Sequence, residues 1–598
     1  MTRLVRRLPL ILSILGALAA ILLALAAGPL GVDEDQKWGP FRIGLLILGL
    51  CWLAGLGGLR LVDALDRRLL AKHALAPAAP LHPAVRAPAT SGRPFQALGV
   101  LLFLIAVELL YSWYASASLM TRWPSTSQVY SLLADALSHG RTDLQIDPPR
   151  ELANIGNPYD PAQRQGIAVY ADASYFRGRY YAYWGPAPAI PAALLKAVFR
   201  RPVGDEYIAF AASSVGLLFL TLMILRLHKL SFPGLPPWLL WATLAVVAVA
   251  HPILWNLSDP GVYEAAINWG QAFLLAGLFC ALPIIDGSKE SSKNLVLAGS
   301  LWGLAIASRF TLVIAVGVLT IGTVAGLNRT KRRFLGRGGW LHASAALALP
   351  LAVVVAVLGA YNYLRFGNVA ETGLQFQMQI ELDYTRLTDD HTMFNQGYFI
   401  PNAIYYSVTP VRLSATFPFL KPARGKLPSV EMFVRNLDVP DVHSVEDISG
   451  LLVAAPFVVF SLVFLGRLAP RRAGRATPPA GCEALALDAG QGYSSVAATV
   501  ILAAILTAVP ILAYRHVANR FELDYVPLLV IGSALGAWDL QRANRWRPIR
   551  GRLVNVALVT AAAATVVVSI LLAVSGPASK IDDYNPTLWR LLTQFRLW

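Results

Sequence analysis

Apolar runs of 18 or more residues recur along this chain, and each is long enough to cross a lipid bilayer as a helix. Of its 598 residues 56% are hydrophobic and only 14% are charged, whereas soluble domains carry roughly 25% charged residues. The chain is therefore predicted to be an all-α polytopic membrane protein.

Length and apolarity predict about thirteen crossings. The first follows the basic start MTRLVRR; it is too long for a signal peptide and is interpreted as a retained helix. The predicted spans are 8–28, 42–62, 96–117, 206–227, 234–255, 267–286, 294–307, 310–327, 338–361, 448–467, 496–514, 526–540 and 553–575.

The basic residues indicate how these spans are oriented. Lys and Arg concentrate in every second connecting segment, as in RLHKL, NRTKRRFLGRGG and QRANRWRPIRGR. Such segments mark cytoplasmic loops, so the N-terminus is predicted inside and the C-terminus outside. The net charge of +16 then belongs to these loops, and a nucleic-acid partner is not expected.

This topology divides the chain into five predicted parts. The outer side receives two large loops, which are expected to carry short juxtamembrane helices. The parts are an N-terminal transmembrane hairpin at 1–64, a cytoplasmic linker at 65–95, a transmembrane core at 96–362 that includes the first outer loop at 118–205, a second outer loop at 363–447, and C-terminal helices with a short outer tail at 448–598.

The segment GPAPAIPAALLKAVF, which begins at Gly185, is too short and proline-rich for an ordinary span. If it crossed, every later loop would be inverted against its charge. It is interpreted as a re-entrant or interfacial helix, which is tolerable at membrane depth only where it packs against protein.

Clustered carboxylates and tyrosines lie in the first outer loop, between Arg122 and Arg200. A partly desolvated carboxylate at a membrane boundary can take a proton from a hydroxyl. Asp172, which precedes the tyrosine-rich RGRYYAYW, is the leading catalytic candidate. Asp160, in NPYDP, is the second, and a turn is the competing interpretation for it.

Tyrosines of this loop are candidates for a carbohydrate site because they combine flat apolar faces with hydroxyl groups. The competing interpretation is an ordinary interfacial belt of aromatic side chains. The substrate-binding candidates are Tyr175, Tyr181 and Tyr183.

Arginines at predicted outer ends of spans form a second signal: Arg309 in ASRF, Arg365 in YNYLRFG and Arg520 in ANRFELDY. A guanidinium is a permanent cation whose planar donors suit phosphate oxygens, so these residues are candidates for holding a phosphate-linked lipid. Ion pairs with Glu371, Glu522 or Asp524 are the competing use.

Glu264, in PGVYEAAINWG, and Glu371 complete the substrate-binding candidates; Glu264 could equally favour the positive end of its helix. Asp389, Asp390 and His391 could ligate a metal, although such a run is more often solvated. No metal site is therefore assigned, no cofactor is obligatory, and a divalent cation is left open. Cys51, Cys280 and Cys482 indicate no disulfide framework.

The order of these motifs resembles a known family. LLADALSHGRTDL, NPYDP, DASYFRGRYYAYWGPAPA, GVYEAAINW, GLAIASRFT, NYLRFGNVAETG and RFELDYVPLL follow one another as in bacterial integral-membrane glycosyltransferases of the GT-C type, in an uncharacterised branch related to dolichyl-phosphate-mannose-protein mannosyltransferases. The resemblance covers about residues 96–575. It implies GT-C-like architecture, a polyprenyl-phosphate sugar donor, a bacterial inner membrane and an extracytoplasmic active site.

The resemblance also implies a catalytic carboxylate close after the helix that precedes the first outer loop. Here that stretch is PSTSQVY, from Pro124 to Tyr130, without a carboxylate. Either Asp172 or Asp160 has taken the role, or the protein binds glycolipids without turning them over.

The leading hypothesis is a glycosyltransferase that moves a sugar from a polyprenyl phosphate to a hydroxyl of a glycan, lipid or protein acceptor, with inversion. A transporter or flippase for lipid-linked glycans is the first rival, but inverted halves and mid-span acidic residues are not evident. A non-catalytic glycolipid-binding protein is the second.

Overall fold

The computed structural model describes residues 93–596, except 122, 126, 288–290, 335–336, 465–482 and 577–579, together with Leu18 and Ile21. The predicted spans at 8–28 and 42–62, most of the linker, Cys51 and Cys482 lie outside these residues. The chain divides into two compact units, 1–124 and 125–598. In the first unit one helix, Arg93–Ala115, is followed by a turn held by Ser116, whose hydroxyl accepts from the Met120 amide at 2.9 Å.

Helices dominate the described residues, in agreement with the predicted class. In chain order they are α1 (Arg93–Ala115), α2 (Val129–Ser138), α3 (Ala189–Phe199), α4 (Asp205–Ser231), α5 (Pro237–Val249), α6 (Ile253–Ser258), α7 (Val262–Ile285), α8 (Ser292–Ser308), α9 (Val313–Phe334), α10 (Arg337–Phe366), α11 (Tyr384–Asp389), α12 (Phe399–Val408), α13 (Pro428–Val434), α14 (Leu451–Ala454), α15 (Glu483–Leu512), α16 (Asn519–Glu522), α17 (Val526–Asn544), α18 (Pro548–Ser575), α19 (Lys580–Tyr584) and α20 (Pro586–Thr593).

Seven helical segments among the described residues are long and apolar enough to cross a membrane, and each coincides with a predicted span. The protein is thus a multi-pass helical membrane protein, while the total of thirteen crossings stays a prediction. The seven are Ala97–Ala115, Asp205–Ser231, Val262–Ile285, Phe310–Arg329, Gly339–Phe366, Tyr493–Leu512 and Pro548–Ser575.

Two predicted spans are broken helices. The span at 234–255 consists of α5 and α6, separated at Pro252, and the span at 448–467 contains α14 followed by a 3-10 turn at Pro456–Ser461. Proline lacks an amide donor and its ring clashes with the preceding turn, so a helix stops there. Two further predicted spans, at 294–307 and 526–540, are α8 and α17, of 17 and 19 residues.

Small residues let the central helices approach closely. A Cβ on Gly299 would lie 2.1 Å from the carbonyl oxygen of Leu347, and one on Gly303 would lie 2.6 Å from Cβ of Val354. The GxxxG spacing places both glycines on one face of α8, which packs on α10. This contact fixes the end of α8, where Arg309 follows.

Strands are short and lie in the two predicted loops and beside α16. Arg177 and Gly178 both have positive φ, as a two-residue type I′ hairpin turn requires. The strands are β1 (Ser174–Phe176) and β2 (Arg179–Tyr181), antiparallel; β3 (Arg412–Leu413) and β4 (Leu420–Lys421), antiparallel; and β5 (Ser444–Val445) and β6 (His516–Val517), parallel. Further 3-10 turns lie at Arg150–Ala153, Phe310–Leu312, Leu374–Phe376 and Gln396–Tyr398.

The segment from Gly185 forms α3, an 11-residue helix. Its length fits the predicted re-entrant or interfacial helix better than a span. Its depth in the membrane stays a prediction.

Candidate functional site

Asp172 stands at the entrance to the β1–β2 hairpin in an unusual backbone conformation. Its φ of 63° lies in the left-handed region, which is costly for most residues and tolerated by Asp. The conformation is held because the Asp172 amide donates to the carbonyl of Met378 at 3.0 Å and the Met378 amide donates to the carbonyl of Ala173 at 2.9 Å. Backbone strain held in this way is frequent at functional sites.

The Asp172 carboxylate is half-buried, and within the described part of the chain only Oδ1 accepts hydrogen bonds. Oδ1 accepts from the Tyr263 hydroxyl at 2.9 Å, from Gln379 Nε2 at 2.8 Å and from Gln377 Nε2 at 3.3 Å. Among the described residues, no donor reaches Oδ2. One oxygen is therefore fixed while the other can accept a hydrogen bond from a ligand.

The extended segment 377–379, in the second predicted loop, supplies the two glutamine donors. Ser174 pairs with Gln377 in an antiparallel bridge, and the buried Arg164 donates to the carbonyl of Gln379. Residues two apart in extended backbone point to the same side, so Gln377 and Gln379 both reach Asp172. The sequence analysis did not select these two glutamines, although the alternation of polar and apolar residues in QFQMQ could have indicated them.

Tyr263, at the start of α7, connects Asp172 to a group of aromatic rings. Its ring contacts Trp184 edge-on, with ring centres 5.1 Å apart, and Tyr183, with centres 6.2 Å apart. The Arg520 guanidinium lies 5.2 Å from the centre of the same ring. Asp172, Tyr183 and Arg520 thus meet around one side chain that the sequence analysis did not select.

Arg520 is held by α16 and paired with Glu446. Its Nη1 donates to Glu446 Oε2 at 2.7 Å, while its Nε is buried without an acceptor among the described residues. Burial acts to lower the pKa of Arg520, but the charges of Glu446 and Glu264 raise it. Burial alone would raise the pKa of Glu446, yet Arg520 and His516 lower it to about 2. Both groups are therefore charged.

Arg309 occupies the break between α8 and the 3-10 turn at Phe310–Leu312. Its Nε donates to Asp524 at 3.1 Å, and Thr311 donates to the same carboxylate oxygen at 2.6 Å. Its two amino nitrogens have no acceptor in the part of the chain that the structure describes. The guanidinium lies 5.4 Å from the centre of the Phe521 ring, and that of Arg520 lies 5.1 Å from the same ring.

The loop before α3 packs directly on the segment that carries Arg309. The Ala187 amide donates to the carbonyl of Ala307 at 3.1 Å, and a Cβ on Gly185 would lie 2.0 Å from that carbonyl oxygen. Tyr130, buried in α2, donates to the carbonyl of Gly185 at 3.3 Å. The proline-rich turn GPAP therefore brings the tyrosine-rich loop to the end of α8.

Arg365 has a different environment from the other two arginines. It is 4% exposed and donates to the carbonyl of Ala182 and, at 2.7 Å, to Asn362 Oδ1. Its guanidinium stacks on the rings of Tyr361 and Phe366, at 4.1 and 4.6 Å. These contacts attach Ala182, the residue after β2, to α10, so the geometry favours a positioning role for Arg365.

The remaining tyrosine and glutamate candidates make local contacts. Tyr175 and Tyr181 are buried in the hairpin, against Tyr180 and Phe366 respectively. Glu371 accepts from the Gly373 amide at 2.6 Å, and Glu264 accepts from the Gly261 amide at 3.1 Å, where it caps α7. None of these contacts reaches Asp172.

Asp160 is a turn residue, which was the competing interpretation. Its two oxygens accept from the Ala162 amide at 2.9 Å and from Gln163 Nε2 at 3.1 Å. Both contacts are local and exposed. The geometry therefore separates Asp160 from Asp172, whose partners come from distant parts of the chain.

A carboxylate does reach the PSTSQVY stretch, and it comes from the first residue of α4. Asp205, which is fully buried, accepts from the Ser127 hydroxyl at 2.6 Å and from the amides of Val129 and Tyr130 at 2.9 and 3.1 Å. It thereby caps the N-terminus of α2, a favourable place for a negative charge. Sequence reasoning missed it because an acidic first residue equally suits its own helix.

Asp389, Asp390 and His391 are exposed, and Asp390 pairs with Arg386 at 3.4 Å. Across the described ranges, no group of three His, Cys, Asp or Glu side chains could hold a metal ion. Cys280 is a free thiol.

Fold and site together define a multi-pass helical membrane protein in which the Asp172 carboxylate, the carboxylate-paired guanidinium groups of Arg309 and Arg520, and several aromatic rings form a single cluster. No family model matches the sequence, and no curated protein matches it.

Among solved structures, the chain is similar to an oligosaccharyltransferase, AglB, from Archaeoglobus fulgidus. The structure with an inhibitory peptide and a dolichol-phosphate has a TM-score of 0.39 at 11% identity and covers 81% of this chain. The structure tethered to an acceptor peptide has a TM-score of 0.36 at 12% identity. The chain spans 56–57% of these chains. Likeness at this level does not define a family.

Proposed function

We propose that the protein is a membrane glycosyltransferase that moves a sugar from a polyprenyl-phosphate donor to an acceptor hydroxyl. The observation that carries the proposal is the Asp172 carboxylate, fixed by three donors on Oδ1 and open at Oδ2. A general base must be positioned within hydrogen-bond reach of the proton it removes. The open oxygen of Asp172 meets that requirement for an acceptor hydroxyl bound beside Tyr263.

Arg309 and Arg520 are proposed to bind the donor phosphate. Each retains nitrogen donors without an acceptor among the described residues, and each is held in place by one carboxylate, Asp524 or Glu446. Because that carboxylate and Phe521 fix the guanidinium before the donor arrives, little ordering is needed upon binding. A cation held in this way can stabilise the charge that develops on a leaving phosphate.

The proposed reaction is a single displacement at the anomeric carbon. The acceptor oxygen forms a bond to that carbon, its proton passes to Asp172, and the bond to the phosphate oxygen breaks with its electron pair. The polyprenyl phosphate leaves with its charge facing Arg309 and Arg520. Attack opposite the leaving group inverts the configuration, and positioning both partners lowers the entropic barrier.

The faces of Tyr183, Trp184 and Tyr263 are proposed to bind the sugar ring. Their rings meet at centre distances of 4.3 to 6.2 Å. Aromatic faces pack against the apolar face of a sugar ring. The basic residues concentrate at the other ends of α4 and α17, which supports an extracytoplasmic site in a bacterial inner membrane.

The test is product formation by purified full-length protein from a radiolabelled polyprenyl-phosphate sugar. We expect Asp172→Asn to lower transfer by at least about 100-fold, the lower bound for loss of a general base. Asp160→Asn is the matched control, because asparagine keeps an oxygen for the Ala162 amide, and it should retain transfer. Wild-type turnover by the Asp172 variant would overturn the assignment. Binding of donor without any product from the wild type would point to a transporter or a binding protein.

A further inference from the structure

A cavity with a partly polar lining lies far from Asp172. Helix α17 begins two residues after Asp524, the partner of Arg309, and extends for 19 residues, or about 28 Å at 1.5 Å per residue. At its other end, the turn between α4 and α5 and the last residues of α17 border an open cavity of about 530 Å³. This volume falls within the range of small-ligand sites, about 300–1,000 Å³. Its lining includes Phe232, Gly234, Gln541, Arg542 and Arg545.

Two guanidinium groups line the cavity without a carboxylate partner among the described residues. Arg542 lies 5.5 Å from the centre of the Phe232 ring and 5.4 Å from that of Tyr493. Arg545 lies 4.7 Å from the centre of the Trp546 ring. Stacking on aromatic faces holds a guanidinium while its N–H edges stay free for an anion.

Gln541 adds an unpartnered acceptor between these cations and the helix core. It is only 6% exposed; its Nε2 donates to Asn555 Oδ1 at 2.8 Å, and its Oε1 accepts from no described residue. A buried acceptor without a donor costs about 1–3 kcal/mol. A ligand that carries a hydroxyl or ammonium group beside its anionic group would satisfy it.

We propose that this cavity binds a phosphate ester that also carries a hydroxyl or ammonium donor, as in the headgroup of a bilayer phospholipid. Arg542 and Arg545 bind the phosphate oxygens, and Gln541 Oε1 accepts from the headgroup donor. A lipid source suits the location because Trp546 and Ile549, 82% and 74% exposed, adjoin the start of α18, a candidate span. Exposed Trp beside clustered arginines is typical of a membrane interface that binds anionic lipid.

The experiment is thermal unfolding of the purified full-length protein with added phosphatidylglycerol, phosphatidylethanolamine or phosphatidylcholine. Phosphatidylglycerol and phosphatidylethanolamine should raise Tm more than phosphatidylcholine, whose headgroup lacks a hydrogen-bond donor. The variant Arg542→Gln/Arg545→Gln should lose this rise, with an apparent affinity at least about tenfold weaker, the effect of 1.4 kcal/mol. Arg550→Gln/Arg552→Gln removes the same charge from exposed positions that do not line the cavity and should respond as the wild type does.

The variant Gln541→Leu tests the contribution of the Gln541 acceptor independently of the two arginines. It should keep the response to lipid phosphate but abolish the preference over phosphatidylcholine. Glycerol 3-phosphate distinguishes the source of the ligand: if it raises Tm as much as the lipids and only with Arg542 and Arg545 present, the site stands and its ligand is a soluble ester. Equal lipid responses in the cavity variant and the control variant would overturn the proposal.

Discussion

Asp172 and Arg309 each commit part of their hydrogen-bonding capacity to the protein and leave the rest free. Among the described residues, Asp172 Oδ1 accepts three hydrogen bonds and Oδ2 none, while Arg309 Nε is paired with Asp524 and its amino nitrogens have no acceptor. A side chain that only stabilises a fold is expected to satisfy all of its buried donors and acceptors, because each one left without a partner costs free energy. Arg365 differs because both of its amino nitrogens have acceptors, although its buried Nε has none among the described residues.

The variant Tyr263→Phe tests how strongly kcat depends on the orientation of the Asp172 carboxylate. The change removes the donor at 2.9 Å from Oδ1 and keeps the ring against Trp184 and Arg520. A hydrogen bond to a charged group contributes about 1.5–3 kcal/mol, so kcat should fall roughly 10- to 100-fold with little change in KM for the donor. Steady-state kinetics measure both. Tyr159→Phe, which loses a bond to the carbonyl of Tyr175 instead, should leave kcat near wild type.

Arg309→Lys tests the use of the free amino nitrogens. Lysine keeps a cation near Asp524 but not the planar pair of donors that matches phosphate. We expect KM for the lipid-phosphate donor to rise about tenfold or more, the effect of 1.4 kcal/mol, while Tm changes little. Arg365→Lys should do the reverse, lowering Tm through lost contacts to Ala182 and Tyr361. A lowered Tm with unchanged KM in the Arg309 variant would assign Arg309 to the scaffold.

Sequence alone selected Asp172, Arg309, Arg520 and Tyr183, which the structure brings into one cluster. The arginines were selected from their type and their places at predicted span ends, and Asp172 and Tyr183 from their places in the tyrosine-rich first outer loop. Gln377, Gln379 and Glu446 were not selected because their importance depends on contacts across 74 to 207 residues, which no local spacing encodes. Asp205 was missed because an acidic first residue equally suits its own helix.

At the level of elements, the site is assembled where helices stop. Arg309 follows α8, the GPAP turn precedes α3, and Arg520 lies in the four-residue α16 before α17. Length and apolarity located the long helices well. They did not reveal the breaks at Pro252 and Pro456, because an apolar run is assigned as one span whether or not a proline interrupts the helical hydrogen bonds. Each break lies within a predicted span, and the path of the backbone at the break depends on packing.

Glu446, which directly follows β5, pairs with Arg520 in α16 and should make the stability of the protein depend on pH. His516, in β6, lies 2.9 Å from Glu446 Oε1, and Arg520 lies 2.7 Å from Oε2. The folded pKa of Glu446 is lowered from 4.5 to about 2, so its stabilising effect is complete above the unfolded pKa and is lost as pH falls toward the folded pKa. Glu446→Gln should lower Tm at neutral pH because Arg520 loses its partner.

The difference in Tm between wild type and Glu446→Gln should shrink as pH falls below about 4.5. Melting curves at neutral pH and at several values down to pH 3 measure it. Asp389→Asn, at an exposed position, serves as the control and should match wild type at neutral pH. A Tm difference that stays constant into the acid range would contradict the pairing of Glu446 with Arg520.

For the whole molecule, the separation of the two polar ends is the decisive property. Asp172, Arg309 and Arg520 lie where α7, α9 and α17 begin, whereas Arg542, Arg545, Arg550 and Arg552 lie at the far end of α17 and the start of α18. Clusters of Lys and Arg mark the cytoplasmic side of a membrane. The end that carries Asp172 is therefore predicted to face away from the cytosol, as the proposed extracytoplasmic transfer requires.

Cysteine labelling in intact cells tests this orientation. In a background where Cys51, Cys280 and Cys482 are replaced by serine, we expect Asp389→Cys to react with a membrane-impermeant maleimide and Trp546→Cys to react only after permeabilisation. Both positions are exposed, Trp546 by 82%, so a difference in labelling reports the side of the membrane rather than burial. The opposite pattern would place Asp172 in the cytosol and remove the basis for an extracytoplasmic transferase. In that case, Arg309 and Arg520 could bind the proposed donor phosphate only from the cytoplasmic leaflet.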